Sequence, residues 1–213
     1  MITKRVPSET IGRLFRYFRS LSCLLREGEE IVSSKTLAEV CHIKPATVRK
    51  DLSYFGEFGT RGVGYDAASL VNKIKKIIKL DKQINVALVG IGNIGRALLK
   101  HSAFELEGFK IVMAFDNNPS KIGDTVGNVI IEDAANIRER IESSGIHLVI
   151  LAVPDYATSK VAKVLQLAGA KSILSFSPCG LSMPADIQVT CIDLSVEMAR
   201  LVYNSCVDYR EKV

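Results

Sequence analysis

Residues 84–95, Ile84-Asn85-Val86-Ala87-Leu88-Val89-Gly90-Ile91-Gly92-Asn93-Ile94-Gly95, decide the reading of the chain. INVALVG reads as a buried strand, and it delivers the backbone into GxGxxG and then into the helical run RALLKHSAFELEG. A glycine triplet alone is weak evidence. Placed after a strand and before a helix, it matches the fingerprint of a dinucleotide-binding unit. Gly90 permits the tight turn, Gly92 lets a pyrophosphate approach the backbone, and Gly95 lets helix and strand pack closely. Ile91, Asn93 and Ile94 complete the expected phosphate loop, whose phosphates meet free N–H groups at the helix start.

Downstream, IVMAF forms the next strand and ends in Asp116, beside Asn117. A carboxylate there accepts hydrogen bonds from an adenosine ribose and repels a 2′-phosphate, which favours NADH and NAD⁺ over their phosphorylated forms. No arginine follows in DNNPSKIG, and Lys121 is the nearby cation. The plainer alternative makes Asp116 a turn residue of D-N-N-P. Three more apolar strands follow, HLVILAV, KSILSF and IQVTCI, with a helix over 155–168 after the first. Ligands of a parallel sheet bind beyond the carboxyl ends of its strands, so Val153, Pro154, Phe176, Ser177, Pro178 and Asp193 are expected around the nicotinamide end.

Upstream, the charge changes sign. Residues 1–80 hold 15 Lys+Arg against 8 Asp+Glu, and residues 81–213 hold 13 against 15, so the surplus of basic charge sits in the first third. A polyanion would be met there, although a solvated basic surface explains the charge equally well. Residues 8–26 place Ile11, Leu14, Phe15, Phe18, Leu21 and Leu25 on one helical stripe and turn Arg13, Arg16 and Arg19 away from it. Ser33 or Ser34 caps a short helix, TLAEVC, and the turn HIK leads to Pro45 at the start of another, PATVRKDLSYF. In such a helix-turn-helix the second helix enters the major groove, which suits Lys44, Thr47, Arg49 and Lys50, with Ser53 and Tyr54 further along. GEFGTRGVGYD then reads as a glycine-rich hairpin carrying Phe58 and Arg61, a minor-groove wing. The amphipathic run Ala67–Ile78 closes this part, and the boundary is placed after residue 80.

Other classes fit less well. No apolar run reaches the length of a membrane span and the start lacks an apolar leader, so a cytoplasmic protein with no membrane partner is expected. Cys23, Cys41, Cys179, Cys191 and Cys206 are scattered, which suits reduced thiols rather than disulfides or a metal site; a thiol-sensing role for Cys179 is the sharper alternative to a packed cysteine. Tyr156-Ala157-Thr158-Ser159-Lys160 imitates the YxxxK pair of short-chain dehydrogenases, with Ser143 upstream. The strand 148–153 separates Ser143 from Tyr156 by about 20 Å at ~3.3 Å per residue, too far for a shared proton relay. The residues therefore favour a sensor over an enzyme, with no catalytic residue assigned and a dehydrogenase as the rival.

VRKDLSYFGEFGTRGVGYD, LVGIGNIGRALL, MAFDNNPSKIG, ILAVPDYA, ILSFSP and IDLSVEMARLVY together resemble the Rex family of redox-sensing transcriptional repressors from end to end. The resemblance implies a winged helix (1–80), a Rossmann-type doubly wound sheet (81–193) and a C-terminal helix (194–213) exchanged in a homodimer. It also implies a palindromic operator in double-stranded DNA that is released when NADH binds. By position it matches Arg19 and Asp193 to a contact across the dimer in one functional state. His101 stands where some members carry a tyrosine near the nicotinamide.

Overall fold

The computed structural model describes residues 6–60, 62–178 and 180–210, with side chains to 205. The chain divides into two compact units, residues 1–83 and 84–213.

The first unit runs α1 (Ser8–Arg26), β1 (Ile31–Val32), α2 (Ser34–Val40), α3 (Pro45–Ser53), β2 (Tyr65–Asp66) and α4 (Ala67–Ile77). Ser33 settles the cap of α2, accepting from the N–H groups of Lys35 and Thr36. His42, in the left-handed region at φ 53°, turns the chain, and Pro45 opens α3 with its φ already helical. Asp66 caps α4 by accepting from the Ser69 N–H. Leu14, Phe18, Leu21, Val48, Leu52, Leu70 and Ile74 share one core.

Two expectations change here. The buried face of α1 includes Thr10 and Tyr17, while Ile11 is 40% exposed. The cause is Asp51 of α3, buried beneath α1, which accepts from Arg13 Nε at 2.6 Å, Arg13 Nη2 at 2.8 Å, Tyr17 at 2.7 Å and Thr10 at 3.2 Å. A buried carboxylate must be paired, so these donors turn α1 inward, and Arg13 is not offered to phosphate. The wing also differs from a regular hairpin: Thr60 and Gly64 form a single antiparallel bridge, and β2 pairs instead with β1, a strand for which no expectation was made.

The second unit runs β3 (Ile84–Val89), α5 (Asn93–Leu99), α6 (Ala103–Leu106), β4 (Phe109–Asp116), β5 (Thr125–Val126), β6 (Val129–Asp133), a short 3-10 helix (Ala134–Asn136), α7 (Ile137–Ser144), β7 (Leu148–Leu151), α8 (Asp155–Leu167), β8 (Ser172–Ser175), β9 (Gln188–Cys191) and α9 (Leu194–Arg210). The strand order is β5-β6-β4-β3-β7-β8-β9, parallel except for β5 at the edge. Without β5 this is the doubly wound Rossmann order, with its crevice where β3 neighbours both β4 and β7. The pleat sends Ala87 and Val89 to the face shared with α7 and α8, and Val86 and Leu88 to the other, with Leu98 and Leu99 of α5. The sequence reading missed β5 and β6, and it drew RALLKHSAFELEG as one helix, where the chain breaks between α5 and α6 around His101.

Candidate functional site

The glycine loop leaves the end of β3 and faces a cleft of about 570 Å³, a size ordinary for a small-molecule site. Gly90 has φ 93°, and a Cβ there would lie 2.5 Å from the Ala152 carbonyl oxygen at the end of β7. A Cβ on Gly95 would fall on the Gly90 carbonyl oxygen, whereas one on Gly92 would meet nothing within 4 Å. The loop is thus closed towards the sheet and the helix and open at its middle glycine, where the cleft lies.

Gly90, Gly92, Asn93, Ile94, Asp116, Asn117, Val153 and Pro154 line this cleft together, from three separate stretches of sequence. The remaining expected ligands do not. Ile91 is fully buried in the core and its N–H donates to Asp116 Oδ2 at 2.8 Å, so neither its side chain nor that N–H is turned to a phosphate. Gly95 is buried behind Gly90. Phe176, Ser177 and Pro178 follow β8 beside the cleft rather than in its lining; Phe176 packs half-buried on the core, and the Ser177 hydroxyl donates to Asp155 at 2.7 Å. His101 sits edge-on to Phe104 at 4.8 Å in a different hollow, beside Phe109 and Asn128, because the break after α5 carries it away from the glycine loop. Asp193 accepts from the N–H groups of Ser195 at 2.8 Å and Val196 at 3.3 Å, and so caps α9.

Asp116 departs most from expectation. It is only 6% exposed. Beyond the Ile91 N–H, its oxygens accept from the Asn118 N–H at 2.8 Å and from Lys121 Nζ at 3.0 Å. Burial pushes its pKa up, but those two N–H donors and the ammonium outweigh it and hold the carboxyl below the usual range. These contacts match the turn-residue reading of D-N-N-P, and they make Asp116 a brace for the glycine loop at the floor of the cleft. The sequence reading missed Asn118, Lys121 and Tyr156 in the lining. Tyr156, set aside with the YxxxK match, is 89% exposed there. Ser143 is not in that lining: it lies in the last turn of α7 and donates to the Arg140 carbonyl.

In the first unit, Lys44 precedes α3 as its N-cap, Thr47, Arg49, Lys50 and Ser53 lie on it, and Tyr54 ends it. Val48, Asp51 and Leu52 face inward, so at 100° per residue Lys50 and Ser53 point outward most directly of these candidates and Arg49 and Thr47 flank them. Arg49 Nη1 donates to the Ser34 hydroxyl at 3.0 Å, which leans it towards the start of α2. Phe58 is half-buried on the core with Lys73 Nζ 5.4 Å from its ring, so it anchors the wing. Arg61 and Cys179 lie outside the described residues, and among those described no cluster suited to a metal ion occurs.

Residues 5–53 match the family model described as "Putative DNA-binding protein N-terminus", and residues 81–179 match "CoA binding domain". The redox-sensing transcriptional repressor Rex of Chloroflexus aggregans is 43% identical over 197 residues, covering 92% of this chain and 93% of its own. RSP, a Rex-family repressor, is similar along its length in two solved complexes. With beta-NAD⁺ and operator DNA it matches at 32% identity and TM-score 0.89, over 99% of this chain and 97% of that one. With beta-NADH it matches at 31% identity and TM-score 0.87, over 99% of each. Because the likeness runs through both units and not through the glycine motif alone, the chain belongs to the Rex family of redox-sensing transcriptional repressors.

Proposed function

We propose that the first unit binds double-stranded operator DNA, that the cleft of the second takes NADH or NAD⁺, and that NADH releases the DNA. The protein then reports the NADH/NAD⁺ ratio in the cytoplasm. The observation that carries this reading is the opening over Gly92, in the same chain as a helix-turn-helix whose outward face presents Lys50 and Ser53. RSP, so similar in both units, has been solved with these ligands. A dehydrogenase is not favoured, since Ser143 is absent from the cleft that Tyr156 lines. No described helix is long and apolar enough to cross a membrane.

The working form is a homodimer. On α9, Leu194, Met198, Leu201, Val202 and Tyr203 are exposed, and Val86, Phe109, Ile111, Leu148, Ile150 and Leu174 line an open apolar groove of about 340 Å³ on the sheet. Apolar surface of that extent marks an interface, and a partner's α9 laid over the groove covers both.

The test is a gel shift with the DNA upstream of the chain's own coding sequence, titrated separately with NADH, NAD⁺, NADPH and coenzyme A. A retarded band that NADH dissolves at concentrations where NAD⁺ and coenzyme A leave it intact is the expected result. Release by coenzyme A alone, or by no nucleotide, sinks the reading.

Communication between cleft and DNA is assigned to Arg19 and Asp193 across the dimer, with Asp193 serving as cap and switch at once. Coupling of this kind is about 1–3 kcal/mol and reciprocal, so operator DNA weakens NADH binding by the factor through which NADH weakens DNA binding. In a double-mutant cycle, Arg19→Ala and Asp193→Ala should each reduce that factor, and the double variant should reduce it no further. Single variants that keep the wild-type coupling leave Asp193 as a cap alone.

A further inference from the structure

A bare carboxylate at the end of the second Rossmann strand accepts the ribose hydroxyls and repels a phosphate on the 2′ oxygen. Asp116 is not bare. Its Oδ2 is shared by the Ile91 N–H at 2.8 Å and Lys121 Nζ at 3.0 Å, and its Oδ1 accepts from the Asn118 N–H at 2.8 Å. The anion is nearly enclosed, with 7% of its side chain exposed, whereas 26% of the Lys121 side chain is exposed. The position of Lys121 is built as well. Its N–H donates to the Asn118 carbonyl at 3.0 Å, and the Asn118 side chain accepts from the Ser120 N–H and hydroxyl, so a braced turn brings the ammonium to the carboxylate. Asp116 and Lys121 are the charged residues among those lining the cleft. The pair is neutral in sum, and its more accessible member is the cation.

We propose that Lys121, rather than Asp116 alone, sets how the cleft treats the adenosine 2′ position: its ammonium is placed to meet a 2′-phosphate, so NADH and NADPH are distinguished less sharply than by a bare carboxylate. This rests on the reading that the cleft takes NADH. Asp116 acts as a positioning residue, holding the glycine loop and the ammonium together. Asn117, exposed in the lining, is left as the neutral group for the ribose hydroxyls.

The experiment is calorimetric titration of the full chain with NADH and NADPH at low and high salt, for the wild type, Lys121→Gln and Lys121→Arg. The wild type should bind NADPH within about a hundredfold of NADH, with the steeper salt dependence belonging to NADPH. Lys121→Gln should weaken NADPH about tenfold or more, the scale of one lost charge contact at partial exposure, and weaken NADH by a clearly smaller factor. Lys121→Arg should restore NADPH. Undetectable NADPH binding by the wild type, an equal loss of both nucleotides in Lys121→Gln, or no change in either overturns the assignment of Lys121. Failure of the wild type to bind NADH at all would instead overturn the reading of the cleft, so the two failures are told apart.

Discussion

Gly92→Val is expected to lose NADH binding by about a hundredfold or more while melting within about 2 °C of the wild type. The backbone at Gly92 has φ −77° and ψ −157°, an extended conformation open to any residue, and a Cβ there meets no protein atom within 4 Å. The added side chain occupies only the space through which a pyrophosphate reaches the backbone. A hundredfold loss corresponds to about 2.7 kcal/mol, reasonable when charge-assisted hydrogen bonds to phosphate are forfeited. The variant should stay on its operator at NADH concentrations that release the wild type. Gly95→Val is the internal contrast: its Cβ would overlap the Gly90 carbonyl oxygen, so it should lose both nucleotide and thermal stability. Calorimetry with parallel melts decides the matter, and a Gly92→Val protein that binds NADH like the wild type puts the nucleotide elsewhere.

Asp51→Ala should lower the melting temperature of the first unit by about 12–40 °C. Asp51 has 2% of its side chain exposed and Arg13 23%, and removing the carboxylate strands the guanidinium and the buried Tyr17 hydroxyl together. Breaking one side of a buried pair costs about 3–5 kcal/mol, and in a domain of this size each kcal/mol moves the transition by roughly 4–8 °C. Burial alone would raise the Asp51 pKa, but the hydrogen bonds from Arg13 and Tyr17 prevail and hold it below the usual range. Burial and the hydrogen bond to Asp51 push the Tyr17 hydroxyl up. A depressed folded pKa stabilises above the unfolded value of about 4, and that contribution disappears as pH falls through the folded value. The wild type should therefore lose stability on acidification below about pH 4 more steeply than Asp51→Asn, which has no charge there to lose. Replacing both partners, Asp51→Leu with Arg13→Met, should recover part of the single loss, since an apolar pair leaves no stranded charge and only the Tyr17 and Thr10 hydroxyls lose their acceptor. A melt of Asp51→Ala matching the wild type would show that the network contributes nothing measurable.

Much of the architecture was legible because its signals are local. The strand, glycine triplet and helix at 84–95, the short turn before Pro45, and the alternation of apolar strands with a helix over 155–168 are written in adjacent residues. The errors fall where a distant partner decides. The strand Val129–Asp133 is short and partly exposed, and it earns its place only by pairing with β4 through Ala114 and Ile131. His101 is five residues past the nearest helix start one would draw from the glycine loop, yet a break in that helix turns it to another hollow.

The same division runs through the cleft and the reading head. By itself the sequence determined that the backbone must turn tightly at Gly90 and stay uncovered at Gly92, and that α3 begins at Pro45, because these depend on backbone freedom and φ within a few residues. Only the tertiary structure decided which face of α1 is buried, through an Asp51 that lies 38 residues from Arg13, and where the Asp116 carboxylate points, through an Ile91 N–H 25 residues away. The physical reason is that a buried carboxylate takes whatever donors the fold brings within hydrogen-bond range, and periodicity along the chain carries no record of who they are.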